Sequence, residues 1–221
     1  MPEPRRTSTD TDKTTPTRKR ILKAARELFA DRGYTATSVS QIARRADVLP
    51  GSMYWAFESK ERMFAAALED AAEEWRVRLG PRTGEIPALR PGDVHRRLAP
   101  YADAFTAAPD FMRLLMIVAT EPAAGTPQNL AAAAAVRERW REAFDEALGK
   151  TFAGHDPDTV QKVARRLGRL MLQLLDGLHV ALQLEPGVAS PRELFMEAAD
   201  VFERELAFAM ARMGEPAPAR G

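Results

Sequence analysis

Residues 37–60 read TSVSQIARRADVLPGSMYWAFESK, from Thr37 to Lys60. Ile42, Ala43 and Ala46 form one apolar helical face, Asp47-Val48-Leu49-Pro50-Gly51 breaks the period, and Met53, Tyr54 and Phe57 start another. Two short helices across a tight break, followed by Ser59 as the cap of a third, make the helix-turn-helix pattern, whose second helix is the one that enters a DNA major groove. Pro50 suits the first turn of that helix, because its missing N–H has no helical partner there. Thr37 is the expected N-cap of the first, its hydroxyl satisfying a free backbone amide.

Working outward, a helix is expected from Pro16 or Thr17 to Asp31, with Ile21, Leu22, Ala25, Leu28 and Phe29 on one buried stripe. Gly33 supplies the left-handed stop after it. Residues 1–16 hold Thr, Ser, Pro and charge without apolar period, and are expected to be a disordered arm. After Ser59, the apolar face Met63, Phe64, Ala67, Leu68, Ala71, Ala72 and Trp75 continues for four turns with no flexible linker. Residues 80–92 read as a loop.

The remainder is helical throughout. A helix from Asp93 is expected to be interrupted or kinked at Pro100, which cannot donate its backbone bond. Pro109 opens another that is apolar nearly all round, and Thr126-Pro127 starts the next. Asp156-Pro157 begins a long helix with two apolar faces, and Ser190-Pro191-Arg192-Glu193 is a capping box for the last, ending at Met213. The fold class expected is all-α with about nine helices.

The charge of +1 conceals an asymmetry: residues 1–62 carry 13 Lys+Arg against 8 Asp+Glu, net +5, leaving net −4 for residues 63–221. A basic end bearing the helix-turn-helix suits a DNA-binding head on a non-DNA body. With no cysteine, disulfides, thiolate metal sites and cysteine nucleophiles are excluded. No window approaches the roughly 18 apolar residues of a membrane span and no signal-peptide core is present, so a cytoplasmic protein is expected. The three histidines lack metal spacing, and there is no phosphate loop or nucleophile elbow. An enzyme is therefore not expected, nor a metal or cofactor.

Ala24-Ala25-Arg26-Glu27-Leu28-Phe29, Gly33-Tyr34, Thr37-Ser38-Val39, Ile42-Ala43, Ala46, Val48, Gly51, Tyr54, Phe57 and Ser59-Lys60-Glu61 together resemble the N-terminal domain of TetR/AcrR-type transcriptional regulators. The resemblance covers about 45 residues; the body matches in helix count, order and its two long final helices. It implies a helix-turn-helix DNA-binding domain over 17–62, a ligand-binding and dimerisation domain over 63–213 and a disordered tail over 214–221. It further implies a homodimer through the last two helices, about 157–185 and 191–213.

By position, the resemblance places Thr37, Ser38, Tyr54 and Lys60 on DNA phosphates and Ser40, Pro50, Gly51, Ser52 and Trp55 near base edges. One of the adjacent pair Arg44 and Arg45 is expected to reach phosphate, and Arg45 is the choice. Trp55 suits a thymine methyl. Four departures stand out: Asp47 for the usual turn Gly, Leu49 for a capping Ser, at a cost of about 1 kcal/mol, Ala56 where a phosphate-contacting side chain is common, and Arg62 where a Glu would complete a cap. In the pocket-forming region, Phe105, Phe111, Met112, Leu115, Met116, Trp140, Phe144, Leu175 and His179 are the candidate effector contacts, with Asp176 and His179 as polar groups; ordinary core is the alternative for each.

The combined expectation is a ligand-responsive repressor that binds a palindromic operator as a homodimer and is released by a small apolar or aromatic molecule. The alternative is a helical protein-interaction module with a degenerate DNA-binding head.

Overall fold

The computed structural model describes residues 16–79, 88–107, 109–185 and 187–214. The expected arm, but for Pro16, and the tail beyond Gly214 lie outside the described residues. Within them the chain forms nine helices and no strand: α1 Pro16–Arg32, α2 Val39–Ala46, α3 Pro50–Phe57, α4 Lys60–Arg78, α5 Val94–Ala107, α6 Asp110–Thr120, α7 Pro127–Thr151, α8 Pro157–Leu184 and α9 Pro191–Met213. The all-α expectation is met.

Two compact units divide these helices. The first holds residues up to Ala72 together with Arg113–Ala133, and the second holds Glu73–Met112 and the chain from Ala134 onward. In the first unit α1 packs on α2 and α2 on α3. The α1 stripe buries Ile21, Ala24, Ala25, Leu28 and Phe29, and α2 and α3 answer with Ile42, Ala43, Ala46, Met53 and Phe57. Phe29, Tyr34 and Phe64 close the core as an aromatic trio with centroids 5.0–5.8 Å apart. Each such buried ring contributes about 1.5–3 kcal/mol by removal from water.

In the second unit α9 packs against both α5 and α8. Phe195, fully buried on α9, meets Phe105 of α5 at 5.2 Å. His95, near the start of α5, lies between two α9 carboxylates, its Nδ1 3.0 Å from Glu203 and its Nε2 2.7 Å from Asp200. The helix α5 continues through Pro100 without the interruption expected there as one of two outcomes. Proline removes one intrahelical bond, and burial of Val94, Leu98, Ala102 and Phe105 along the same helix offsets it. A third cluster joins Trp75, Tyr101, Phe111 and Trp140, with Trp75 in ring contact with the other three at 4.7–5.7 Å.

Most helix ends follow their local chemistry. Asp156 caps α8 by accepting from the Thr159 amide, and the Ser190–Glu193 capping box of α9 is complete in both directions. The expected cap at Thr37 is corrected. Ser38 is the N-cap of α2, its Oγ accepting from the Gln41 amide at 3.2 Å while Gln41 Oε1 accepts from the Ser38 amide at 2.7 Å. Thr37 is only 1% exposed and turns inward, its hydroxyl donating to the carbonyls of Gly33 and Leu28 at 2.8 and 3.1 Å.

Candidate nucleic-acid interface

The recognition helix α3 is bounded by a distinct backbone corner at each end. Asp47 adopts the left-handed conformation, φ 53° and ψ 55°, as expected for a residue replacing a turn glycine. The Val48 amide reaches back to the Ala43 carbonyl at 3.0 Å, so α2 stops and the chain turns within two residues. Leu49 is extended and makes no side-chain cap, leaving Pro50 to start α3 by its fixed φ. At the far end Glu58, φ 61°, closes the helix, and Ser59 Oγ accepts from the Arg62 amide at 3.2 Å to cap α4.

Met53 and Phe57 anchor α3 inward. The Arg18 guanidinium of α1 sits 4.2 Å over the Phe57 ring. At 100° per residue, the line opposite Met53 and Phe57 runs through Gly51 and Trp55, and both are exposed. Trp55 is 76% exposed and Leu49 77%, with Tyr54 beside them at 59%. An indole this open is not part of any core. A Cβ built on Gly51 would meet nothing within 4 Å, so the backbone of α3 is bare toward the outside. Ser52 is half-buried, and Ser40, Arg44 and Pro50 are exposed.

Other candidates are committed elsewhere. Thr37 is buried, as above. Arg45 is held by Glu27 of α1, its Nε and Nη2 donating to one carboxylate oxygen at 3.0 and 2.7 Å, which leaves Arg44 as the cation of the pair without such a tie drawn inward. Lys60 is half-buried with its Nζ 4.2 Å over the Tyr34 ring, and burial lowers its pKa, opposed by Glu61 and Glu121. Ser38 is exposed but occupied by its capping box.

The position of α2 depends on a residue far along the chain. Glu121, just past the end of α6 and within the same unit, accepts from the Tyr34 amide at 3.2 Å through Oε1, and from the Thr35 amide and hydroxyl, both at 3.0 Å, through Oε2. The carboxylate sits so close over Gly33 that a Cβ there would collide with it. Tyr34 also donates its phenol to Glu61 Oε1 at 3.1 Å. Burial first, and then Glu61, push the Tyr34 phenol up to about 12. No local signal marks Glu121, whereas Ser38-x-x-Gln41 is a capping box legible in the sequence.

Of the effector candidates, Phe111 and Trp140 belong to the Trp75 cluster, and His179 is buried edge-on to Phe105 at 5.5 Å. Phe144 lies 6.5 Å from Phe202. Met112 and Leu175 are buried in the second unit; Leu115, buried, and Met116, half-buried, belong to the first. Asp176 is taken up by Arg137 in a bidentate pair, both bonds 2.9 Å. Trp75 Nε1 is buried with no hydrogen-bond acceptor among the described residues. Among those residues no group of three or more acidic, histidine or cysteine side chains is arranged to hold a metal ion, and no helix is long and apolar enough to cross a membrane.

A three-helix head whose second short helix stands on a left-handed turn and presents an open outer face defines a helix-turn-helix, the motif whose second helix enters a DNA major groove. Residues 21–67 match the family described as bacterial regulatory proteins, tetR family, so the head is similar to the N-terminal domain of the TetR/AcrR transcriptional regulators. The chain is 47% identical over 53 residues to the HTH-type transcriptional repressor KstR2 of Mycolicibacterium smegmatis, covering 24% of this chain and 26% of that one. It is 33% identical over 103 residues to the HTH-type transcriptional regulator AcrR of Shigella flexneri, 45% of this chain and 46% of the relative. These matches thus span about a quarter to a half of the curated relatives' length. The fold extends further: a tetR-family regulator from Streptomyces coelicolor superimposes with a TM-score of 0.65 at 22% identity, over 89% of this chain and 82% of that one.

Proposed function

We propose that the protein is a homodimeric transcriptional repressor that binds a palindromic operator and is released from it by a small, mainly apolar molecule. The observation that carries the DNA-binding part is the recognition helix: Met53 and Phe57 bury one side while Gly51, Tyr54 and Trp55 stand open on the other. In this reading Tyr54 and Arg44 are the exposed residues that meet phosphate and Ser40 approaches a base edge, with Thr37, Ser38, Arg45 and Lys60 acting behind them to hold the frame.

Dimerisation through α8 and α9 is supported by apolar side chains left in solvent on both: Val180 and Leu184 on α8, Val201 and Phe208 on α9. One such head binds weakly, whereas two placed about 34 Å apart read a palindrome. The effector class is inferred from the Trp75 cluster, where three aromatic rings surround the Trp75 indole, whose buried N–H has no acceptor among the described residues. An unsatisfied buried donor costs about 1–3 kcal/mol, which a ligand carbonyl or ether oxygen would recover. Helix α4 contributes residues to both units, and is the element by which effector binding is expected to shift the head away from its DNA-competent state.

In vitro selection from random duplexes followed by gel retardation tests the reading. A palindromic sequence is expected to be enriched, with affinity falling steeply as salt rises. Equal retention of all sequences would overturn it in favour of a protein-interaction module. Sedimentation of the free protein is expected to give a dimer, and Phe208→Glu a monomer that no longer retards the palindrome.

A further inference from the structure

The chemistry of α3 restricts what it can read. Base pairs are distinguished in the major groove chiefly by paired contacts from Arg or Lys to guanine, Asn or Gln to adenine, and Asp or Glu to cytosine. The α3 sequence, PGSMYWAF, contains none of these six residue types. Its polar side-chain groups are the hydroxyls of Ser52 and Tyr54 and the single indole N–H donor of Trp55; a hydroxyl both donates and accepts, so it fits several base edges, and a lone donor cannot make a paired contact. Against this, the two most exposed large hydrophobic residues of the head are Trp55, on the line opposite the buried anchors, and Leu49, at the N-cap. Gly51 lets this surface approach closely, since no side chain intervenes. The one base-edge feature that an apolar side chain recognises is the thymine C5 methyl.

We propose that Trp55 and Leu49 are the specificity-determining residues of this head, and that they read thymine methyl groups at the base pairs facing α3. The inference rests on the operator-binding reading above. It concerns the positions under α3 alone; Arg44 and Ser40 project from α2 and are free to read neighbouring ones.

The test replaces thymine by 2′-deoxyuridine in the selected operator, one symmetric pair at a time. This deletes the methyl and keeps the Watson–Crick pair. Burial of one methyl-sized group contributes roughly 0.8 kcal/mol, about four-fold in affinity, so a symmetric pair read by both subunits should weaken binding about fifteen-fold. At least one pair should behave so with the full-length wild-type protein. At that pair Trp55→Ala or Leu49→Ala should bind the thymine and uracil duplexes alike. Both side chains are exposed, so thermal denaturation of the variants should match wild type, which separates lost reading from lost folding. Indifference of the wild type to uracil at every pair overturns the inference while leaving a selected, salt-sensitive operator intact. Uracil sensitivity that persists undiminished in both variants overturns it too, by assigning the methyl to another residue. A selection that enriches nothing overturns the operator-binding reading, and the inference with it.

Discussion

Glu121→Ala is the substitution with the most to say about how the head is held. The carboxylate accepts three hydrogen bonds from the α1–α2 turn, two from backbone amides and one from the Thr35 hydroxyl. They are not equal. Thr35 is exposed, so water replaces its two partners at a loss of about 0.5 kcal/mol each. Tyr34 is buried, and its amide loses a charged acceptor worth about 1.5 kcal/mol or more. The sum is about 2.5 kcal/mol, felt first at the turn and not across the whole molecule. Native-state hydrogen exchange is the suitable assay, because it reports opening residue by residue. The Tyr34 and Thr35 amides should exchange roughly 60-fold faster in the variant, with amides of α8 and α9 unchanged. Glu121→Gln keeps one acceptor and should fall between. If Tyr34 exchanges at the wild-type rate in Glu121→Ala, the clamp contributes nothing and the reasoning fails.

Gly51→Ala should raise head stability by about 0.5–1 kcal/mol, since alanine favours a helix and the added methyl meets nothing, while weakening operator binding; paired thermal melts and gel retardation will check the opposed signs. Thr37→Val should cost about 1 kcal/mol in urea denaturation by removing the hydroxyl bonds to Leu28 and Gly33, yet leave operator affinity of the folded protein within about two-fold, because the hydroxyl never faces DNA. The Tyr34 phenol, at about 12 when folded and 10.0 ordinarily, favours the neutral form in the folded state. Its contribution is complete below pH 10 and is lost as pH climbs toward 12. An ultraviolet titration should show one late tyrosine, missing in Tyr34→Phe.

The helices were legible because their signals are local. Pro16, Pro50, Pro127, Pro157 and Pro191 each stand at the first position of a helix, and capping and period fix the rest within a few residues. The errors came from competition between neighbours and from distance. Thr37 and Ser38 are both good caps, and burial beside Leu28 decides between them. Arg45 reads as a phosphate ligand, and the sequence does not show that Glu27, one helix back, pairs with it. Asp176 reads as a polar effector contact until Arg137 of α7 takes both its oxygens. Glu121 lies 87 residues from Tyr34, beyond the reach of any periodicity. At Pro100 the helix is not interrupted, and α5 packs against α9 along its length.

Asp47 and Glu58 are the two non-glycine residues with positive φ among those described, and they stand one at each end of the recognition segment. Both corners are set by backbone geometry and not by what α3 carries outward, so the segment between them is an exchangeable cassette. Leu49, Ser52, Tyr54 and Trp55 can be varied together in a library with Met53 and Phe57 kept, and heads of altered operator preference should be recovered from it without any redesign of the scaffold.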